Sequence, residues 1–117
     1  MPTRRSTLGW RGEQMARAWL EERGLAFVES NFRTRYGEID LVMRDGLVTV
    51  LVEIKTRRNR RFGAPEEAIS DRKLARLQAA AEIYLSRHPA VGDIRLDVLV
   101  IERQGGAWSV RHLPGIS

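Results

Sequence analysis

Two residues near the middle of the chain, Asp45-Gly46, constrain the fold more than any other feature. An Asp-Gly pair between alternating apolar and polar residues favours a tight two-residue turn, and therefore an antiparallel hairpin. Before it, Ile39, Leu41 and Met43 alternate with Glu38, Asp40 and Val42. After it, Val48, Val50, Val52 and Ile54 alternate with Thr49, Leu51, Glu53 and Lys55. With Asp45 and Gly46 as the turn, Arg44 pairs with Leu47, Leu41 falls opposite Val50, and Glu38 falls opposite Glu53. Ile39, Leu41 and Met43 then share an apolar face with Val48, Val50 and Val52, because a strand side chain returns to the same face every second residue. Asp40 shares the other face with Glu53 and Lys55, diagonal to Glu53.

The rest of the chain supplies the elements such a hairpin needs for cover. Met15, Ala16, Trp19 and Leu20 recur at helical spacing between Arg11 and Arg23, and Gly24 stands where a helix C-cap belongs. Leu25 to Phe32 reads as a first strand. Ser70 is an N-cap for a second helix whose apolar stripe runs through Leu74, Leu77, Ala80, Ala81, Tyr84 and Leu85 to Pro89. Ile94 to Ile101 is apolar on both faces, as a central strand is. Gly105-Gly106 turns the chain into a last strand, Trp108 to Leu113. The order is α-β-β-β-α-β-β, an α/β fold with a mixed sheet flanked by helices. At 117 residues it fits one domain, here residues 9–117 behind a loose polar arm, residues 1–8.

Charge narrows the function classes. The net charge is +5, and of 20 basic residues only Lys55 and Lys73 are lysine, so the excess is arginine, whose planar fork grips phosphate oxygens in pairs. An acidic partner such as nucleic acid is expected. There is no cysteine and there are two histidines, His88 and His112, which excludes disulfides, thiol chemistry, Cys-ligated zinc and a His-rich metal site. No apolar run approaches the ~20 residues of a membrane span, and the N-terminus carries no signal-peptide pattern, so no membrane partner and a cytoplasmic location are expected.

Asp40 and Glu53 carry the chemistry. Two neighbouring carboxylates repel unless a cation lies between them, and their hard oxygens suit Mg²⁺ or Mn²⁺. Lys55, two residues past Glu53, projects from the same face, where it could orient water or neutralise charge building on a phosphate. The strand runs on into Arg57, Arg58, Arg60 and Arg61, a basic loop suited to the phosphate backbone.

These residues resemble a known pattern. Glu13, Gly37-Glu38-Ile39-Asp40-Leu41, and Val52-Glu53-Ile54-Lys55-Thr56-Arg57 are similar to the PD-(D/E)xK nuclease superfamily, and more narrowly to its YraN-like bacterial family. Asn31-Phe32-Arg33, Phe62-Gly63-Ala64-Pro65, Lys73 and Arg95-Leu96-Asp97-Val98 extend the match over nearly the whole chain. The resemblance implies a restriction-endonuclease-like core, like that of archaeal Holliday-junction resolvases. It also implies that Glu13, on the first helix, joins Asp40, Glu53 and Lys55 as the catalytic set, with Asp40, Glu53 and Glu13 holding the metal. Lys73 joins the arginines as a nucleic-acid contact. Glu38, opposite Glu53 in the expected register, is an outer ligand or a partner behind the metal ligands. No proline precedes Asp40.

The function expected is metal-dependent hydrolysis of phosphodiester bonds, in DNA rather than RNA and with branched DNA among the substrates. A nucleic-acid-binding module without cleavage and an interaction module for an acidic protein are the alternatives. A homodimer is expected if the substrate is a four-way junction, which needs two opposed cuts, and a monomer otherwise.

Overall fold

The computed structural model describes residues 7–57 and 69–116, with side chains from Arg11 onward and Gln104 excepted. Seven elements follow in the order α1 (Thr7–Glu22), β1 (Ala26–Thr34), β2 (Gly37–Asp45), β3 (Val48–Arg57), α2 (Asp71–Arg87), β4 (Ile94–Gln104) and β5 (Ala107–Leu113). This is the expected order. The first helix starts earlier than its apolar pattern does, so Thr7 and Leu8 belong to α1 rather than to an arm, and residues 1–6 lie outside the described residues.

The five strands form one sheet in sequence order. All neighbours are antiparallel except β3 and β4, which are parallel and joined by the crossover through α2. A parallel pair needs such a crossover, and its helix covers one sheet face while α1 covers the other. Ala16 and Leu20 of α1 pack on Leu41, Met43, Val50, Val52, Leu99 and Ile101. Leu77, Ala80, Ala81 and Tyr84 of α2 pack on Phe32, Ile39, Val42, Leu51 and Leu96. Val50, Leu51 and Val52 are all essentially inaccessible, because β3 is covered on both faces.

Both helix ends follow their local signals. Gly24 has φ 93, and Leu25 N–H donates to Leu20 O at 3.1 Å while Gly24 N–H donates to Glu21 O at 3.0 Å. That double closure satisfies carbonyls that the last turn leaves open. At the start of α2, Ser70 Oγ accepts from Lys73 N–H at 3.1 Å. Among the described residues no helix is long and apolar enough to cross a membrane.

The central hairpin differs in register from the expectation. Asp45 pairs with Val48 and Leu41 with Val52, so Gly46 and Leu47 form the turn. Gly46 takes φ 63, which suits a turn with glycine in its first central position. The displacement is two residues overall, so faces survive but diagonals become direct neighbours: Asp40, not Glu38, comes level with Glu53. Ile39 is also corrected, since it packs against α2 while Leu41 and Met43 pack against α1. The cause is local. Asn31 falls between the pairs Ser30↔Leu41 and Phe32↔Ile39, level with Asp40, and has φ 57. A left-handed residue turns the strand and breaks its alternation, and asparagine is among the few side chains that accept it.

Candidate metal centre

The β2–β3 ladder ends at Leu41↔Val52, yet β2 remains paired to β1 as far as Gly37, and β3 to β4 as far as Arg57. The sheet therefore forks, with Asp40 and Glu53 at its crotch. An N–H of β3 left without a strand partner there must find another acceptor. Ile54 N–H donates to Asp40 Oδ2 at 2.7 Å. Asp40 is thus a structural substitute for the missing strand and is fixed by the backbone that carries Glu53 and Lys55.

The α1 side of the fork brings two more carboxylates. Oxygens of Glu13, Glu38 and Asp40, all half-buried, lie within 4.8 Å of one another. Asn31 Nδ2 donates to Glu13 Oε2 and to Glu38 Oε2, each at 2.9 Å, and so ties β1, β2 and α1 together at this point. Arg33 Nε holds the other Glu38 oxygen at 3.0 Å. Helix α1 can approach this closely because Gly12 lies against β3: a Cβ there would stand 2.7 Å from Thr56 Cγ2. The glycine next to Glu13 in sequence is thus what lets Glu13 reach the fork.

Four carboxylates in one place have an electrostatic consequence. Burial, then the charge of Glu53, then its hydrogen bond and the charge of Glu38 push the Asp40 pKa from 3.8 up to about 8, against the lowering influence of the Ile54 N–H. Near neutral pH the cluster keeps a proton that a bare aspartate would have lost. A divalent cation relieves the same repulsion more fully, and three carboxylate oxygens at this spacing match the hard-donor set that Mg²⁺ or Mn²⁺ prefers. The residues present fit such an ion.

Comparison with known sequences gives a family. Residues 12–101 match the model of the family described as "Uncharacterised protein family UPF0102". The chain belongs to that family. A UPF0102 protein of Beutenbergia cavernae is 45% identical over 114 residues, covering 96% of this chain and 97% of that one. A UPF0102 protein of Syntrophomonas wolfei is 43% identical and covers 91% of this chain and 93% of its own length. One of Leifsonia xyli is 42% identical, with 97% and 98% covered. The UPF0102 match begins at the glycine that admits α1 and ends within β4, so it contains the entire fork and omits β5.

Within this UPF0102 frame the expected site residues are arranged as follows. Glu13 and Asp40 come together as expected, and Glu38 joins them in the cluster instead of standing behind it. Glu53 touches Asp40 but turns toward α2, where Lys73 Nζ lies 3.3 Å from its Oε2. Lys73, expected at phosphate, is therefore also part of the carboxylate centre. Lys55 is exposed on the Glu53 side and pairs with no described carboxylate. Arg57 is drawn into the fold: its Nη2 lies 2.6 Å from Glu102 of β4, and its side chain is 10% exposed. That pairing takes it off the open surface where a phosphate contact was expected. Arg58, Arg60 and Arg61 lie outside the described residues.

Sequence reasoning missed Asn31 as the residue that orients two carboxylates. Its only local signal is an asparagine inside a strand, a type tolerant of left-handed backbone. It also missed the exposed cations of α2 and of the β1–β2 hairpin. Arg72 and Arg76 stand one turn apart on the exposed side of α2, Arg33 pairs with Glu38 at the end of β1, and Arg35 is on the β1–β2 turn. Their signal was helical and turn spacing rather than adjacency in sequence.

Asp97, outside this centre, is fully buried on β4 and receives Arg95 Nε at 2.8 Å, His112 Nε2 at 2.7 Å and Gly115 N–H at 3.0 Å. Burial alone would raise its pKa, but the bonds from His112, Arg95 and Gly115 outweigh burial and hold it below the usual carboxylate range. It anchors β5 and the C-terminal segment to β4.

Proposed function

We propose that this chain hydrolyses phosphodiester bonds of nucleic acid, DNA in preference to RNA, with Mg²⁺ or Mn²⁺ held by Glu13, Glu38 and Asp40. The observation that carries the proposal is the forked sheet, whose crotch gathers four carboxylates at an electrostatic cost that a cation removes. The likeness of Asp40 and Glu53-Ile54-Lys55 to the PD-(D/E)xK nucleases supports the same reading. When bound, the ion supplies Lewis-acid polarisation of a phosphate oxygen and activation of water. The chain does the rest. Asn31 and the Ile54 N–H fix the carboxylates before the ion arrives, so little reorganisation remains. Lys55, exposed and two residues past Glu53 on the same strand face, supplies a positive charge for the reacting phosphate, and Lys73 offsets the charge of Glu53.

The test is cleavage of duplex, single-stranded, flapped and four-way-junction DNA and RNA with each ion, alongside calorimetry of ion binding. Wild type is expected to cut at least one substrate. Asp40→Asn is expected to lose ion binding and cleavage together, and Lys55→Ala to bind the ion normally while losing about 10²–10³-fold in rate. Equal ion affinity in wild type, Asp40→Asn and Glu13→Gln would remove the site. A junction substrate additionally implies two copies related by a two-fold axis, and paired cuts by a species that light scattering shows to be monomeric would exclude them.

The Lys73–Glu53 ion pair favours a second reading, a binding module that keeps the fold without efficient turnover, since it occupies a carboxylate the metal would otherwise share. Lys73→Met separates the two: a rise in cleavage identifies a restrained enzyme, whereas nucleic-acid binding with no cleavage by either wild type or variant is what the binding module gives.

A further inference from the structure

The β1–β2 turn adjoins the carboxylate fork and has features that the fork chemistry does not use. Arg35 and Tyr36 form its tip, between the paired residues Thr34 and Gly37. One hydroxyl holds the tip rigid: Thr34 Oγ1 accepts from Tyr36 N–H at 3.0 Å and Gly37 N–H at 3.2 Å, and donates to Gly37 O at 2.8 Å. On this tip Tyr36 is 44% exposed. The Arg35 guanidinium lies 5.0 Å from the centre of the Tyr36 ring and pairs with no described carboxylate. Arg76 of α2 stands beside the turn, its Cβ 4.0 Å from where a Gly37 Cβ would be, also without an ion pair among the described residues.

We infer that this tip is a stacking subsite for an unpaired base, with Arg35 and Arg76 on the flanking phosphates. An exposed ring on a preorganised turn, backed by a cation and flanked by a second, is the combination that single-stranded nucleic acid binds, through base stacking and phosphate charge together. A paired base in a continuous duplex presents only its edges, because its faces are already stacked, and a ring projecting from a turn has nothing to stack on there. A protein partner is less well served, since among the described residues the patch is one ring beside guanidinium groups. Tyr36 is four residues from Asp40 along β2, about 13 Å at ~3.3 Å per residue. The stacked base is therefore a few nucleotides from the carboxylates, and the substrate class is DNA or RNA with a single-stranded segment, flap or splayed end next to the bond attacked. The substrate assignment rests on the phosphodiester reading above, while the stacking subsite is measurable without it.

The experiment uses the full chain in EDTA, so that neither ion binding nor cleavage enters. Fluorescence anisotropy compares a labelled twelve-nucleotide single strand with a blunt duplex of the same length. Tyr36→Ala is expected to weaken single-strand binding about ten-fold, within the roughly 5- to 150-fold that one base–aromatic stack supplies, and to leave duplex binding unchanged. Tyr36→Phe should retain wild-type affinity, because stacking needs the ring and not the hydroxyl. Arg35→Ala and Arg76→Ala should each lower the slope of log affinity against log salt by about 0.7 on the single strand. Unchanged single-strand affinity in Tyr36→Ala, an equal loss on both probes, or no binding of either probe by wild type each overturns the subsite. Calorimetry with Mn²⁺ on Tyr36→Ala is expected to match wild type, which controls for folding. A chain that binds the single strand through Tyr36 but takes up no ion sustains the subsite and defeats the catalytic reading.

Discussion

Asp40→Asn is expected to stabilise this fold at pH 8, although it removes a residue at the heart of the site. Asp40 titrates near 3.8 in the unfolded chain and near 8 in the folded one, so between those values the folded state holds a proton that the unfolded state has released. Stability then falls as pH rises, with a limiting slope of about 1.4 kcal/mol per pH unit, is fully present below pH 4, and is lost through pH 8. From pH 5 to pH 8 the ceiling is about 4 kcal/mol. Asp40 is half-buried rather than sealed, and water reaching the fork reduces this to about 2 kcal/mol. For a chain of this length that is a fall in Tm of about 8 °C. Asparagine carries no charge at either pH and can still accept the Ile54 N–H, so its stability should be flat where the wild type declines. Thermal unfolding in EDTA at half-unit pH steps measures both, and groups elsewhere contribute equally and cancel in the difference. Mg²⁺ or Mn²⁺ at about 100 times its Kd should add about 2.7 kcal/mol to wild type at pH 8 and nothing to the variant. Parallel Tm–pH curves for the two proteins in EDTA would refute the reasoning, since the burial and the carboxylate repulsion that raise the Asp40 pKa would then be absent.

Two further outcomes follow from contacts elsewhere. Gly12→Ala, which on helix propensity alone should stabilise by about 1 kcal/mol, is expected to cost 1–3 kcal/mol by overpacking against Thr56 and to weaken ion binding by moving Glu13, as denaturant titration and calorimetry would show. Asp97→Ala should cost about 3 kcal/mol by leaving Arg95 and His112 without their buried acceptor. The sign of the Asp97 shift is opposite to that of Asp40: its contribution is present above its unfolded pKa near 3.8 and is lost as pH falls through its lower folded value, so wild type and Asp97→Ala should converge in stability in strong acid.

The sequence by itself determined the element order, the two faces of β3 and the helix ends, which depend on a period or on near neighbours. Alternation on either side of Gly46 placed Val50 and Val52 on one face and Leu51 and Glu53 on the other, because side-chain direction in a strand depends only on parity. Gly24 and Ser70 marked helix ends because capping is a bond between near neighbours. Glu13, Asp40, Glu53 and Lys55 could be named from residue type, spacing and family likeness. Only the tertiary structure decided how they meet. The register moved by two residues because glycine took the first place of the turn, and this set Asp40 beside Glu53. The left-handed Asn31, level with Asp40, bonds Glu13 and Glu38 together. Lys73 reached Glu53, and Arg57 reached Glu102, across the crossover and the parallel pair, over separations on which no periodicity reports. A pattern in sequence fixes which way a side chain points within its own element. Which charges share a fork depends on where separate elements end and how closely they approach, and those distances are set by packing.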